Sequence, residues 1–223
     1  LLTGMVGEFD ELQGVMGEKY ALLAGEDAQV ATSIREHYLP TSADGALPET
    51  EMGAVLAMAD KLDTILAFFT VGLIPSGSND PYALRRATAG ILRIIESQNW
   101  DMALPSLISE LYTLDVDGFT YAKQDEVMQF INGRVAKMLE GAARYDLIEA
   151  VLATGSLDVT FLTETAKALD DKVSDADFKT SVENLARVVN LASKLTTVPS
   201  VTEATLENEF EKALFTAEQK LVL

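Results

Sequence analysis

Cysteine is absent from this chain of 223 residues, and histidine occurs once, as His37. Disulfides and thiolate metal sites are therefore excluded, and a cytoplasmic location is permitted. Long apolar runs are missing as well. The longest, near Ile65–Ile74, is interrupted by Gly72 and is too short to span a bilayer. No signal-peptide pattern is visible, so a membrane is not an expected partner. There is no Gly-rich phosphate loop after a strand, no nucleophile elbow and no cluster at metal-ligand spacing. Basic residues are scarce: 17 Lys and Arg face 35 Asp and Glu, a formal charge of −18. Residues 1–115 hold 17 acids against 6 bases, and residues 116–223 hold 18 against 11. Neither half carries the clustered positive charge of an autonomous nucleic-acid binder. Duplex DNA is not expected as a partner, and any nucleic-acid contact must be local.

What is present is apolar and helical. Hydrophobic residues make up 48% of the chain, enough for a substantial core in one large domain or two smaller ones. Apolar residues at three-and-four spacing predict helices over Leu1–Leu12 and Leu12–Leu23, closed by Gly25, then over Asp27–Tyr38, ending before Pro40. Thr41–Pro48 reads as a loop. Glu49–Val71 gives the strongest helical pattern, with Met52, Val55, Leu56, Ala59, Leu62, Leu66 and Phe69 as its expected buried stripe. Helices follow from Pro105 to about Leu114, over Gln124–Arg144, Asp146–Leu152, Leu157–Lys172, Ser174–Leu195 and Thr202–Val222, the last expected to pack poorly by itself. Asp117-Gly118 within Val116–Tyr121 marks a turn and the expected domain boundary. No alternating strand pattern or fixed-period repeat occurs, so the fold is expected to be all-α. The chain begins on Leu1-Leu2-Thr3 and ends on Lys220-Leu221-Val222-Leu223 without a terminator, which reads as part of a longer polypeptide.

The most distinctive stretch is Gly72–Ile95, GLIPSGSNDPYALRRATAGILRII. Asn79 or Asp80 is expected to cap a helix with Pro81 at its first position. Leu84, Ala87, Ile91 and Ile95 then form an apolar stripe. Arg86 and Arg93 share a face directed away from it, with Arg85 between. In so acidic a chain these arginines either tie the fold together or hold a phosphate. Asp60 and Asp63, three apart on the preceding helix, are available to ligate a hard cation or to form a partly buried ion pair with Arg85 or Arg86. Arg85 is the arginine expected to be engaged internally. His37, beside Tyr38 and a loop, reads as structural; the enzymatic alternative is a metal-dependent phosphohydrolase using His37, Asp60 and Asp63. A third possibility is an interaction scaffold whose acidic surface docks a basic partner.

Three segments carry a family resemblance: GEFDELQGVMGEKYA (Gly7–Ala21), ALPETEMGAVLAMADKLDTI (Ala46–Ile65) and GLIPSGSNDPYALRRATAGILRII (Gly72–Ile95). Together they resemble the β subunit of the bacterial heterotetrameric glycyl-tRNA synthetase, over about residues 1–100. LARVVNLASK (Leu185–Lys194) and the helix after it resemble the start of that subunit's anticodon-binding domain. The resemblance implies a degenerate HD-like helical domain over 1–115, a helical linker over 116–173 and the first helices of an anticodon-binding domain over 174–223. Active HD phosphohydrolases hold metal with a His, a His-Asp pair and a distal Asp. Ala59-Asp60-Lys61-Leu62-Asp63 resembles the distal segment, but the chain contains no His-Asp dipeptide, so neither catalytic nor metal-ligating residues are expected. The implied role is to bind and orient the glycine tRNA and to assemble with the α subunit in the cytoplasm. Glycyl-adenylate formation, with its ATP and Mg, belongs to that α subunit. Arg85, Arg86, Arg93 and Lys61 are the candidate tRNA contacts, and Asp60 and Asp63 the candidate structural ion pair.

Overall fold

The computed structural model describes residues 4–114, 119–156, 158–194 and 202–221. Eleven α-helices are found among them and no strand. The chain divides into two compact units, 1–172 and 173–223.

In the first unit, α1 (Gly4–Glu8) leads through a short 3-10 turn (Asp10–Leu12) into α2 (Val15–Ala24). The break falls at Gly14, whose φ of 80° is readily reached only without a Cβ; one added there would also lie 2.9 Å from Tyr38. Gly25, left-handed at φ 84°, closes α2, and Asp27 caps α3 (Ala28–Glu36) by accepting from the Gln29 N–H at 2.7 Å. α4 (Glu51–Thr70) and α5 (Leu84–Gln98) pack side by side, with α3 against the other flank of α4. α6 (Leu104–Leu111), α7 (Gln124–Leu139), α8 (Tyr145–Leu152) and α9 (Val159–Lys172) complete the unit.

The core runs from α4 and α5 into the later helices. Phe69, Ile91, Ile95, Ile108, Ile131 and Leu162 are all fully buried in one cluster, and α7 and α9 both pack on α5. The described helices α7, α8 and α9, which fall in the span 116–173 expected as a helical linker, supply part of the wall around this core. The turn expected at Val116–Tyr121 lies partly outside the described residues.

α4 departs from its expected stripe. Leu62, Leu66 and Phe69 face inward, but Met52, Val55, Leu56 and Ala59 are exposed, and Ala54, Ala57, Met58 and Ile65 take the buried positions. The helix is apolar on two sides, and periodicity does not say which side turns inward. Small residues win near its start because α3 approaches closely. A Cβ on Gly53 would lie 2.1 Å from a Glu36 carboxylate oxygen. That carboxylate, 1% exposed, accepts from the backbone N–H groups of Glu49 (3.2 Å) and Thr50 (3.1 Å) and from the Thr50 hydroxyl (2.5 Å). Thr50 Oγ1 in turn accepts from Gly53 N–H, capping α4.

In the second unit, Asp175 caps α10 (Ala176–Ala192) by accepting from the Asp177 and Phe178 N–H groups. A 3-10 turn (Glu203–Thr205) and α11 (Glu209–Leu221) follow. Val222, the expected end of the last helix, and Leu195, expected in the one before, lie outside the described residues. Neither α10 nor the described part of α11 buries a side chain, and Phe210 is 88% exposed.

Candidate functional site

The loop between α4 and α5 is organised by Asp80. Its two carboxylate oxygens accept from the backbone N–H groups of Leu84 (2.9 Å) and Arg85 (3.0 Å), the first orphan donors of α5. The helix therefore starts at Leu84, three residues later than a Pro81 start would place it. Pro81 and Tyr82 lie in a turn, and Ala83 adopts a left-handed conformation at φ 56°.

The three arginines of α5 have separate fates. Arg85 donates to the Gly77 carbonyl at 2.8 Å, fastening its own loop. Arg93 donates to the carbonyls of Ala43 (2.6 Å) and Gly45 (3.1 Å), clasping the loop ahead of α4. Arg86 is exposed and has no hydrogen-bond or ion-pair partner among the described residues. Arg85 is thus engaged internally as expected, but by a carbonyl. Arg93, expected to face outward with Arg86, is half-buried and directs two of its five N–H donors to these carbonyls.

The ion pair expected at Asp60 and Asp63 is not found among the described residues. Both lie on the exposed side of α4, where a carboxylate stays hydrated and needs no cationic partner. Among the described residues neither pairs with an arginine, and Asp63 accepts a hydrogen bond from the Tyr121 hydroxyl. That bond and partial burial hold the Tyr121 phenol at about 12, burial being the larger cause. Burial, aided by the Glu126 charge, does the same for Tyr112. Both phenols keep their protons in the folded state after unfolded tyrosine has begun to ionise near 10, so their contribution is complete below that pH and is lost as the pH rises towards 12. A spectrophotometric titration is expected to show three of the six tyrosines ionising late, Tyr112 and Tyr121 together with Tyr145, whose hydroxyl donates to Glu149, and stability declining from about pH 10 upward.

Lys61 points inward. It is 7% exposed, and its ammonium donates to the His37 carbonyl at 3.0 Å. Burial lowers its pKa, partly opposed by the neighbouring Asp60 charge. The stem passes Gly90 of α5, where a Cβ would lie 3.3 Å from Lys61 Cε and 3.1 Å from Pro40. Gly90, in a helix otherwise lined with isoleucine and leucine, is the sequence signal that something large crosses there.

Lys61 and Arg86 line the same cleft, about 470 Å3 in volume, between the Asp10–Leu12 turn, the residues after α3 and the start of α5. Tyr38 and Tyr82 contribute aromatic walls, and Asp10 and Glu11 contribute carboxylates. Sequence reasoning grouped the two cations but missed the tyrosines and acids, which come from three separate segments. His37 stacks on Tyr38 with ring centroids 3.9 Å apart, and its Nδ1 is buried without a protein partner. Among the described residues no group of three or more His, Asp or Glu side chains is placed to hold a metal ion, so His37, Asp60 and Asp63 are not assembled into a site.

A family model described as glycyl-tRNA synthetase beta subunit matches residues 1–153. The chain belongs to that family. It is 59% identical over its full 223 residues to the glycine–tRNA ligase beta subunits of Streptococcus pneumoniae serotype 19F (strain G54) and of strain 70585. The beta subunit of strain Hungary19A-6 is 58% identical over the same span. The chain covers 33% of the length of each of these glycine–tRNA ligase subunits. The family match takes in α1 to α8 and so includes every residue of the Lys61–Arg86 cleft. No described helix is long and apolar enough to cross a membrane.

Proposed function

We propose that this chain contributes the binding and orientation of tRNA(Gly), together with subunit assembly, to glycine–tRNA ligase, and carries none of the adenylation chemistry itself. In this reading unit 173–223 opens an anticodon-binding domain, and the α4–α5 pair is the remnant of an HD-like domain. The observation that carries the reading is the cleft holding Arg86 at its rim and Lys61 at its floor. Two cations with spare N–H donors suit phosphate oxygens, while the carboxylates of Asp10 and Glu11 can accept from ribose 2′-hydroxyls. Tyr82, exposed beside them, offers a stacking face for an unpaired base. This combination fits RNA backbone better than a free anion, which the two acids would repel.

The strongly acidic surface elsewhere means that the contact must be short. Removing one phosphate contact should then be visible against a small total. In the assembled enzyme, Arg86→Ala is expected to weaken tRNA(Gly) binding roughly three- to tenfold and to reduce the salt dependence by about one phosphate's worth. Arg93→Ala is expected to lower the melting temperature and leave the salt slope unchanged, since its guanidinium is occupied by Ala43 and Gly45. Unchanged affinity and slope in Arg86→Ala would remove the cleft from the RNA path.

A further inference from the structure

α4 is the helix that does not end at its core. Inward, Ala57, Met58, Ile65 and Phe69 close the interior. Outward, Met52, Val55, Leu56 and Ala59 form a second apolar surface, with Val55 55% exposed. A helix on the surface of a globular protein normally turns a polar face to solvent. Here the outward side carries no charge between Glu51 and Asp60.

This ridge stands between two grooves. One, about 700 Å3, lies against α3 and is walled by Val30; the other, about 400 Å3, is walled by Trp100, Met102 and Leu107. Val55 and Ala59 line both. A continuous apolar ridge with a furrow on each side is the relief into which one face of a helix packs, ridge against groove. No strand edge exists among the described residues for an extended peptide to join. The charged side chains lining the furrows are Glu51 and Asp63, and neither furrow is lined by Lys or Arg.

We propose that the outward face of α4 docks an amphipathic helix of another polypeptide, whose apolar stripe is flanked by Lys and Arg. The apolar stripe would seat on Val55 and Leu56, with its flanking cations meeting Glu51 and Asp63. The inference gives the assembly half of the proposed function a surface and rests on that half alone. It shares no residue with the Lys61–Arg86 cleft, so a failure here leaves the Arg86 result standing, and the reverse.

Trp100 is the only tryptophan, so its fluorescence reports on this site directly. The probes are two synthetic helical peptides roughly five turns long, with one leucine stripe, flanked in one by lysine and in the other by glutamate. The lysine peptide is expected to shift Trp100 emission to shorter wavelength and to bind roughly tenfold more tightly than the glutamate peptide. The chain carrying Val55→Asp and Leu56→Asp, both at exposed positions, is expected to keep its circular dichroism and to bind the lysine peptide roughly tenfold more weakly. That variant is more negative than the parent, so non-specific attraction predicts the opposite change. Equal or tighter binding by the double variant overturns the proposal, as does failure of the lysine peptide to bind or equal binding of the two peptides.

Discussion

Phe69→Ala is expected to remove about 4 kcal/mol of stability, a fall in Tm of roughly 8–16 °C for a domain of this size. Phe69 is 1% exposed and sits at the end of α4, its ring 5.1 Å from that of Phe130 on α7. Truncation removes the whole ring from a packed interior, and the surrounding helices close only part of the resulting space. The consequence extends beyond one residue. If α7 to α9 share a core with α4 and α5, the melt stays a single transition and amide protection falls together over Glu51–Thr70 and Gln124–Leu139. Protection that survives in α7 while α4 loses its own would mean that residues 1–172 do not unfold as one unit.

Glu36→Ala is expected to cost about 3 kcal/mol for a different reason. The Glu36 carboxylate serves three donors at the beginning of α4, and the methyl group of alanine serves none. The backbone N–H groups of Glu49 and Thr50 would be left part-buried without an acceptor, the costly direction in which to break a hydrogen bond. Glu36→Gln is expected to recover only part of the loss, because its NH2 group would face one of those donors. Urea unfolding checks both variants: a lower midpoint at unchanged m-value reports lost stability of the same folded state. A loss within about 0.5 kcal/mol, as for an ordinary surface change, would mean that α4 does not depend on this carboxylate.

These two residues mark what the sequence made legible. Phe69 stood in a long helical pattern and was expected inside. The stripe of α5 was equally plain: Leu84, Ile91 and Ile95 are buried, and Ala87 is half-buried. Spacing failed where a helix is apolar on more than one side. Met52, Val55 and Leu56 carry the same spacing signal as Leu62 and Leu66, and only the approach of α3 and α5 decides which set is covered. Glu36 was missed because a glutamate between Arg35 and His37 at a helix end reads as hydrated surface. Its three partners lie 13 or 14 positions away, beyond any local pattern. At the cleft, two of the four cations named from the sequence, Lys61 and Arg86, come together, but their orientation was not legible. Whether a lysine's stem lies along the interior or the surface depends on what leaves room for it, here Gly90 on the neighbouring helix.

The loop before α5 bears on how Arg86 would meet a ligand. Asp80 ties the loop to the helix through two backbone donors, and Arg85 ties it back through the Gly77 carbonyl. The base from which Arg86 projects is thus held at both ends, and its ordering entropy is already spent in folding. An incoming anion has only the guanidinium's own rotamers to immobilise, at roughly 0.5–1.5 kcal/mol for such a side chain. In so acidic a chain, a weak attraction delivered from a rigid platform can still decide where a polyanion comes to rest.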